Sequence, residues 1–498
     1  MRPVLPLLGL LLAGLFGPLL AADRPPNIIF VLADDLGWTD LGAFGSKYYE
    51  TPNIDRLAAQ GMRLTNHHHC QNCAPTRSAL LSGQYGARTG TYTVGSIGRF
   101  NWQTRPLRPV DNVTNLSLER DTFANQLKAA GYATAMFGKW HLGNAPEYHP
   151  AKRGFDEAIE SAGQHFDFET TPKTSYPKGQ YLADFLTNKA VDFIQRNQSK
   201  PFLLYLPHFG VHSPFQAKPE LVAKFKGKPG VGGHNSPTYA AMLASVDESV
   251  GRLMAKLEEL KLADNTVIIF ASDNGGVGGY DRPDGLIREP GLEAKGKKAK
   301  AGDDEDGGGI TDNTPLRSGK GSLYEGGVRV PFIVRWPGKI AAGSALGTPT
   351  AHVDLFPTLL ELSGAAKPRQ ALDGESLLPV MLGKATALKR DAIFQHFPGY
   401  LGSGAGLWRT TPVSLIQMGD WKLMEFLEDG HLELYNLKDD LGETKNLATT
   451  QPDKAKELHE RLIAWRKGTG APMPTPNKKA EAGETAPAAK KAGKAKKK

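Results

Sequence analysis

The side chains best equipped for chemistry stand directly after the apolar runs of this chain. Four runs end in such groups: Asp34 and Asp35 follow residues 27–33, Lys139 and His141 follow 132–137, His208 and His212 follow 202–207, and Asp273 and Asn274 follow 267–272. A fifth run, at 330–336, is preceded by Lys320 in the motif "RSGKG". An isolated Asp-Asp or Asp-Asn-Gly is usually a turn or a helix cap. Four strand ends that all present such groups indicate one shared site, because the carboxyl ends of parallel strands meet at one edge of a sheet.

The oxygen donors in this set favour a hard divalent cation. Three carboxylates and one amide contribute them: Asp34, Asp35, Asp273 and Asn274. Such oxygens suit calcium or magnesium and not zinc. Two lysines add positive charge and two histidines add groups that donate and accept protons: Lys139, Lys320, His141 and His212. A site of this composition would hold a small oxygenated anion against a divalent cation, which is the equipment for sulfuryl or phosphoryl transfer.

The chain has only two cysteines, Cys70 and Cys73, which form a C-x-x-C pair directly after His67, His68 and His69. Several interpretations are open from these residues alone. The pair could be a redox dithiol or half of a zinc site, and "HHHCQNC" could be a complete metal cluster. Cys73 could also be a nucleophile, or the precursor of one, and the plainest alternative is a buried cysteine near the start of a helix.

The five apolar runs predict the strands of a parallel sheet. They are continuous rather than alternating, as in "NIIFVLA" (27–33) and "VIIFAS" (267–272), so both faces of each strand should be buried. Segments with helical features lie between them, at about 51–61, 121–130, 182–197, 239–261 and 353–363. The alternation predicts an α/β fold in which a large, mostly parallel sheet is sandwiched by helices.

After about residue 385 the pattern changes to short strands separated by turn residues. Four of them, "DAIFQHF", "PVSLIQM", "WKLMEFL" and "LELYNL", precede a helix of about 453–466, which predicts a small antiparallel sheet with one helix. The expected organisation is a signal peptide at 1–22, a catalytic α/β domain at 23–385, a C-terminal α+β subdomain at 386–470 and a disordered Lys- and Ala-rich tail at 471–498. The Gly- and charge-rich stretch 278–309 is expected to form a mobile surface loop.

Composition and charge narrow the class of protein. Residues 1–22 combine Arg2, an apolar run and Ala21-Ala22, the features of a secretory signal, and no later stretch approaches a membrane-spanning length. We therefore expect a secreted or periplasmic protein without an integral membrane segment.

Most of the net charge of +8 lies in the predicted tail, which has eight lysines and two glutamates. The rest of the chain is nearly neutral, so its charge does not indicate a protein that binds nucleic acid. Two cysteines so close together cannot form a disulfide framework, and a large core must stabilise the chain.

The stretch around Cys73 resembles a known family signature. Cys73 begins C-x-P-T-R, followed by "SALLSG", and this resembles the signature of the formylglycine-dependent sulfatases, the arylsulfatase family with an alkaline phosphatase-like fold. The resemblance continues at Asp34-Asp35, "GKWHLG", "HSP", "SDNGG" and "GKGSLYEGGVRVPFIVRWPG", and so covers about residues 25–470 in family order. It implies a sulfuric ester hydrolase of the arylsulfatase type.

The resemblance also implies a chemistry for Cys73. A separate maturation enzyme would oxidise it to formylglycine (3-oxoalanine), whose hydrate carries two hydroxyls. One hydroxyl attacks sulfur and releases the alcohol, and the other loses its proton to expel sulfate, a step for which serine has no second hydroxyl. A Cys70–Cys73 disulfide would block this modification, so Cys70 is predicted to stay a free, buried thiol. The three histidines at 67–69 are then expected to shape the pocket or the strand that leads to Cys73.

Carried over by position, the resemblance assigns a role to each candidate residue. Calcium, or alternatively magnesium, would be bound by Asp34, Asp35, Asp273, Asn274 and modified Cys73. Arg77 would hold formylglycine and the metal-side carboxylates, and Lys139 and Lys320 would bind sulfate oxygens. His141 would act on the second hydroxyl of the formylglycine hydrate, and His212 would help to protonate the leaving oxygen. His208 is explained equally well as a structural residue at a strand end.

Two other functions stay open as alternatives. A phosphatase or phosphodiesterase of the same superfamily would need a Ser or Thr nucleophile, or a second metal with its own His and Asp ligands, and the sequence offers neither. An inactive glycan-binding relative would lack Cys73 or a metal ligand. The sequence favours a sulfatase that acts on sulfated carbohydrate or polysaccharide, with the sugar selected by loops at about 90–120, 145–180, 275–315 and 398–412.

Overall fold

The computed structural model describes residues 24–280, 285–288, 310–404 and 407–481. The predicted signal peptide, most of the predicted loop at 278–309 and the last part of the predicted tail lie outside these ranges. Within them, no helix is both long enough and apolar enough to cross a membrane.

An eight-stranded sheet forms the centre of the structure. Its strands, in order across the sheet, are Ser344–Leu346, Met62–Leu64, Phe332–Arg335, Thr266–Ser272, Asn27–Ala33, Phe202–Pro207, Ala133–Gly138 and Glu157–Glu160. The strands predicted at 27–33, 132–137, 202–207 and 267–272 pair in parallel in the middle of the sheet. The predicted α/β fold with a mostly parallel sheet is confirmed.

The direction of strand Phe332–Arg335 explains how Lys320 reaches the edge where the other candidate residues lie. This strand is antiparallel to Thr266–Ser272, unlike the other predicted strands. The segment before an antiparallel strand lies at the same edge of the sheet as the segments that follow its parallel neighbours. Lys320 therefore enters the same edge as Asp273, although it precedes its strand in the sequence.

Helices cover both faces of the sheet because successive strand residues point to opposite sides. On strand Asn27–Ala33, odd-numbered residues pack into one apolar core and even-numbered residues into another. Helices Pro52–Ala59, Leu182–Arg196 and Pro237–Glu259 close the first core, and Phe123–Ala129 and Leu355–Ser363 close the second. These five helices lie where the sequence predicts them. The further helices of seven residues or more within the described ranges are Cys73–Ser82, Pro219–Phe225 and Pro452–Thr469.

A second, antiparallel sheet near the C-terminus matches the prediction. Its strands, in order, are Ala392–Phe397, Val413–Met418, Trp421–Phe426 and Leu432–Asn436. Helix Pro452–Thr469 buries Leu458 and Leu462 against this sheet, in one core with Ile416 and Leu423. Strands Leu401–Gly404, Leu407–Thr410 and Ile287–Arg288 form a further, three-stranded sheet, in that order.

A buried charged network connects the C-terminal antiparallel sheet to the part of the chain that carries His68 and Glu325. Lys422 Nζ lies 2.8 Å from both Glu325 Oε1 and Glu443 Oε1. Glu325 Oε2 in turn lies 2.9 Å from His68 Nε2. All four side chains are buried, and such charges are tolerated only where each has a partner. The network therefore holds the C-terminal sheet in one position behind the segment that leads to Cys73.

The C-terminal tail is ordered further than its composition predicts. Residues 475–476 form a strand against Leu107–Arg108. The buried Asn477 donates from Nδ2 to the carbonyls of Gln103 and Arg105, at 2.9 Å each. The prediction of disorder from residue 471 is therefore wrong for residues 471–481, because this backbone finds partners in the 103–108 loop. Residues 482–498 lie outside the described ranges.

Candidate active site

Cys73 is the first residue of a helix that lies inside the protein. All ten residues of helix Cys73–Ser82 are buried. The helix ends at Gly83, whose φ of 67° is left-handed and suits glycine. Thr76 Oγ1 accepts a hydrogen bond from the backbone N–H of Cys70 at 3.0 Å and so fixes the turn before the helix. Burial raises the pKa of the Cys73 thiol to about 12, so the unmodified side chain is neutral at physiological pH.

The side chains predicted to share one site do meet. The carboxylates and the amide are fully buried: Asp34, Asp35, Asp273 and Asn274. One ligand atom from each of four residues lies within 4.8 Å of the others: Asp34, Asp35, Cys73 and His212. Asp34 Oδ1 and Asn274 Oδ1 have no hydrogen-bond partner among the residues that the structure describes. Burying a polar oxygen without a partner is costly, and a hard cation would satisfy both atoms.

The donor chemistry of this centre fits calcium. Carboxylate and amide oxygens are the ligands that calcium prefers in proteins. Burial first, and then the negative charge of the neighbouring Asp34, raise the pKa of Asp273 above its usual range, so part of this shift is repulsion between carboxylates held close together. A divalent cation would offset this repulsion.

Arg77 holds the carboxylates in place. Its Nε and Nη2 donate to Asp273 Oδ2 at 3.1 and 2.8 Å, and its Nη1 donates to the Lys139 carbonyl at 2.7 Å. Nη2 also lies 3.5 Å from Asp34 Oδ2. Burial opposes the charge of Arg77, but Asp273 and Asp34 outweigh it and raise the pKa of the guanidinium. Arg77 is therefore a fixed cation beside the carboxylates of Asp273 and Asp34.

Two lysines balance the remaining carboxylates. Lys139 Nζ lies 2.6 Å from Asp34 Oδ2, and Lys320 Nζ lies 2.8 Å from Asp35 Oδ2. Burial alone would raise the pKa of Asp34, but Lys139 and the other nearby cations hold it well below its usual range. Together with Arg77, three cations balance three carboxylates. The centre can therefore take up a divalent cation together with an anion without a large excess of either charge.

His212 and His141 present different chemistry to this centre. His212 Nδ1 donates to the Ser213 carbonyl at 2.7 Å, so the proton of the neutral ring sits on Nδ1. Its Nε2 lies 3.3 Å from Lys320 Nζ. His141 lines the same pocket, and burial together with Lys139 holds its pKa well below its usual range, so its ring is neutral.

The other histidines singled out in the sequence have structural surroundings. His208 is fully buried, with Nε2 3.0 Å from a serine hydroxyl in the core. His67 and His69 are buried with their Nε2 atoms 3.0 Å apart. Cys70 is a free, buried thiol, as predicted, and its Sγ lies 3.7 Å from His352 Nε2. In the part of the chain that the structure describes, no second group of three His, Cys, Asp or Glu ligand atoms lies as close together as the group above, so the zinc interpretation finds no support.

A pocket of about 550 Å³ opens onto the centre. Side chains predicted from the motifs line it: Cys73, Lys139, His141, His212 and Lys320. Among the residues that the structure describes, three of the four loops expected to select the substrate also contribute to the lining. The residues are Val94, Arg99 and Phe100 from the first loop, Glu160, Ala162, Gly163 and Gln164 from the second, and Leu401, Gly402 and Arg409 from the last.

Several residues of the pocket were missed by the sequence analysis. Phe209 lies between two quoted histidines in "PHFGVHSP", and its ring centre is 5.6 Å from Lys139 Nζ. Glu160 ends the edge strand of the sheet and Arg409 belongs to the three-stranded sheet. The aromatic residue between two candidate histidines was a usable signal for Phe209. Glu160 and Arg409 carry no local signal, because only long-range pairing brings their strands to the pocket.

The chain matches two family models. The model described as "Sulfatase" matches residues 26–365. The model described as "N-sulphoglucosamine sulphohydrolase, C-terminal" matches residues 319–468. The two matches together span both sheets.

Known proteins resemble the chain over much of its length. A protein named "Sulfatase" from Formosa agariphila is 34% identical, over 92% of this chain and 93% of its own. Human N-acetylgalactosamine-6-sulfatase is 34% identical, over 72% of this chain and 66% of its own. The crystal structure of Ps i-CgsB in complex with k-i-k-neocarrahexaose has a TM-score of 0.71 at 28% identity, and the match covers 89% of this chain and 93% of that one.

Proposed function

The chain belongs to the sulfatase family, and from that premise we propose that it hydrolyses sulfate esters of sulfated carbohydrate, with formylglycine formed at Cys73 and calcium bound beside it. The proposed ligands are Asp34, Asp35, Asp273, Asn274 and modified Cys73, with magnesium as the alternative ion. The observation that carries the proposal is the approach of Cys73 to Asp34, Asp35 and His212 within 4.8 Å, in a pocket that two lysines also line.

Formylglycine and calcium would supply the chemistry that ordinary side chains lack. The hydrate of formylglycine supplies a hydroxyl that attacks sulfur and a second hydroxyl whose loss of a proton allows sulfate to leave. Calcium, when bound, supplies positive charge that polarises a sulfate oxygen. The remaining tasks fall to side chains that the fold already holds in position.

The sulfate group would be bound by Lys139 and Lys320. Each ammonium carries three N–H donors and each lines the pocket. Each is also anchored, since its Nζ contacts a buried carboxylate, on Asp34 or Asp35. Anchored donors need little reorganisation as charge develops on the sulfate oxygens, which is how such contacts lower a barrier.

His212 and Lys320 would deliver the proton to the leaving oxygen. The Nδ1–H of His212 is committed to the Ser213 carbonyl, so Nε2 is the atom that exchanges a proton with the pocket. Lys320 Nζ lies 3.3 Å from that Nε2, close enough to pass a proton to it. The neutral ring of His141 would act as the base on the second hydroxyl.

A sulfated sugar is the proposed substrate class. A relative that is 34% identical is named for N-acetylgalactosamine 6-sulfate, and a structural neighbour was crystallised with a neocarrahexaose. The pocket of about 550 Å³ combines charged walls with the aromatic rings of Phe100 and Phe209, a lining that suits a polar ring with an anionic substituent. We also propose that residues 1–22 direct export to the periplasm or medium, and that a separate maturation enzyme oxidises Cys73.

The alternatives weighed from the sequence gain no support from the geometry. A two-metal phosphatase needs a second set of ligands, and the described residues hold one compact group of possible metal ligands, formed by Asp34, Asp35, Cys73 and His212. An inactive relative would lack a reacting or binding residue, whereas Cys73, Arg77 and both lysines are in place.

The proposal is tested by measuring released sulfate from defined sulfated mono- and oligosaccharides, with protein made alongside a maturation enzyme. The matched control is the same sugars carrying phosphate at the same positions. We expect turnover of at least one sugar sulfate and much slower hydrolysis of its phosphate counterpart. Faster release of phosphate than of sulfate would point to the phosphatase alternative instead.

His212→Ala should separate leaving-group chemistry from sulfate binding. A sugar alkoxide is strongly basic and needs a proton as it leaves, whereas a nitrophenolate leaves as a stable anion. General acid assistance contributes roughly 10²–10⁴-fold, so we expect a loss of at least about 10²-fold in kcat/KM on the sugar sulfate and a far smaller loss on the nitrophenyl sulfate. Lys320→Ala should show an intermediate difference between the two substrates.

Lys139→Ala serves as the comparison for this prediction. Lys139 contacts sulfate whatever the leaving group, so its removal should lower kcat/KM on both substrates by similar factors. An equal loss on both substrates for His212→Ala would assign His212 to sulfate binding and leave the acid role to Lys320.

A further inference from the structure

Glu160 places a carboxylate in the wall of the pocket, at the edge of the central sheet. It is the last residue of strand Glu157–Glu160 and lines the pocket together with His141. The strand pairs with Ala133–Gly138 on one side. On the other side, Glu160 and Thr171 exchange two backbone hydrogen bonds of 2.8 Å each. The backbone of Glu160 is therefore held from both sides, which limits the positions that its side chain can reach.

The half-buried side chain of Glu160 has room for a further hydrogen bond. Burial raises the pKa of its carboxyl, and a hydrogen bond from the backbone of His141 opposes part of this shift. No lysine, arginine or histidine forms an ion pair with Glu160 in the ranges that the structure describes. A carboxylate has about four acceptor positions on its two oxygens, and the His141 N–H occupies one of them. Acceptor positions therefore remain for a molecule bound in the pocket.

Two amide side chains join Glu160 in the lining of the pocket. They are Asn144, three residues after His141, and Gln164, four residues after Glu160. Both are exposed, and neither has a hydrogen-bond partner among the described residues. A hydroxyl group both donates and accepts hydrogen bonds, so a carboxylate and two amides provide partners for it. Together these three side chains suit the hydroxyls of a sugar.

The sulfate ester itself is a poor partner for Glu160. Two negative charges held close together repel each other, and partial burial strengthens the repulsion. The lysines proposed to bind sulfate, Lys139 and Lys320, contact Asp34 and Asp35, and neither forms an ion pair with Glu160. The partner that remains in a sulfated sugar is a neutral hydroxyl.

We propose that Glu160 determines specificity by accepting a hydrogen bond from a free hydroxyl of the sugar that carries the cleaved sulfate. The enzyme then selects a sugar whose hydroxyl at this point is unmodified. A sugar with a second sulfate there is rejected, because that sulfate would face the carboxylate. The inference rests on the proposed function, because it concerns substrate recognition in the same pocket. No covalent bond is made or broken at Glu160.

Deoxy sugars test this contact directly. The reference substrate is the sugar sulfate that the wild type hydrolyses fastest, and each analogue lacks one of its free hydroxyls. A hydrogen bond to a charged group is worth roughly 10- to 100-fold, so we expect the wild type to lose this factor in kcat/KM on one analogue. Glu160→Ala should lose a similar factor on the reference substrate and nothing further on that analogue. Glu160→Gln keeps an acceptor without the charge and should fall between the two.

Nitrophenyl sulfate distinguishes substrate recognition from support of His141. It has no sugar hydroxyl, so Glu160→Ala should lose far less kcat/KM on it than on the reference sugar. Losses of equal size on both substrates would show that Glu160 acts through His141 and would overturn the proposed contact. Equal kcat/KM of the wild type on the reference sugar and on every deoxy analogue would overturn it as well.

The control variant is Glu157→Ala, which removes the same side chain from the start of the same strand. Glu157 pairs with Arg196 and does not line the pocket. This variant should keep the full discrimination between the reference sugar and its analogues. If thermal unfolding shows that Glu160→Ala does not fold, Glu160→Gln on the same substrates decides the matter.

Calorimetric binding to Cys73→Ala separates the contact from catalysis. The compounds are the reference sugar and its deoxy analogues, or N-acetylgalactosamine 6-sulfate and its deoxy analogues if the wild type hydrolyses no sugar sulfate. Weaker binding of one analogue, with no such difference when Glu160→Ala is added, supports the contact. That result without any hydrolysis by the wild type would overturn the proposed function and leave the contact standing. Equal binding of all compounds would overturn the contact, whether or not the wild type hydrolyses them.

Discussion

Replacing Cys73 with serine is expected to lower kcat/KM for sulfate-ester hydrolysis by about 10⁵-fold or more, the scale seen when a nucleophile is removed. Serine fits the same buried position at the start of helix Cys73–Ser82 and keeps one hydroxyl there. It lacks the second hydroxyl that would expel sulfate. Rapid-mixing measurements of released alcohol should therefore show at most one equivalent per enzyme molecule and no steady turnover.

Cys70→Ser is the matched control for this change. It replaces the other buried thiol, three residues earlier, which lies outside the pocket lining and beside His352. We expect this variant to turn over substrate at a rate close to that of the wild type. Sustained turnover by Cys73→Ser, or an equally large loss in Cys70→Ser, would contradict a special role for Cys73.

Asp34→Asn is expected to remove most of the bound calcium and to lower kcat/KM by about 10³-fold or more. A bound cation is worth several kcal/mol of transition-state stabilisation, and each 1.36 kcal/mol corresponds to a factor of ten. Asp34 is fully buried, and its Oδ1 has no partner in the described residues, so the carboxylate is well placed to be a ligand. Metal content by elemental mass spectrometry and activity should fall together, and excess calcium should restore part of the activity.

Asp40→Asn makes the same chemical change at a buried carboxylate outside the pocket lining. Asp40 accepts hydrogen bonds from Tyr239, Thr311 and the backbone of Gly37, so its loss should affect stability rather than metal content. Full activity of Asp34→Asn, together with stoichiometric zinc in the wild type, would contradict calcium binding at Asp34. Loss of calcium in Asp40→Asn at unchanged stability would also count against the assignment of the ligands.

The strands and the meeting of their polar ends were predictable because both follow from local patterns. A continuous apolar run fixes a buried strand, and a parallel sheet brings the residues after each run, such as Asp34 and Asp273, to one edge. Lys320 was identified with the same site although its strand is antiparallel. The position of Lys320 depends on the order and direction of the strands, which the motif "RSGKG" indicates only through its resemblance to a family.

The pocket wall was not predictable in the same way. Arg409 and Glu160 reach the pocket through pairing between distant parts of the chain, and neither stands in a motif. The ordered start of the tail has a similar cause, since Asn477 finds its partners in the loop at 103–108. The composition of a segment indicates whether it would be ordered in isolation. It does not indicate whether a distant part of the chain will form hydrogen bonds with it.

The mass of the peptide that contains Cys73, taken from enzyme that turns over substrate, tests the central claim most directly. Proteolysis after basic residues releases residues 64–77 as one peptide. We predict that its Cys73 position carries an aldehyde that reacts with hydrazides, and that the aldehyde fraction rises in proportion to specific activity across preparations. A fully active preparation in which every Cys73 is an unmodified thiol would contradict the account.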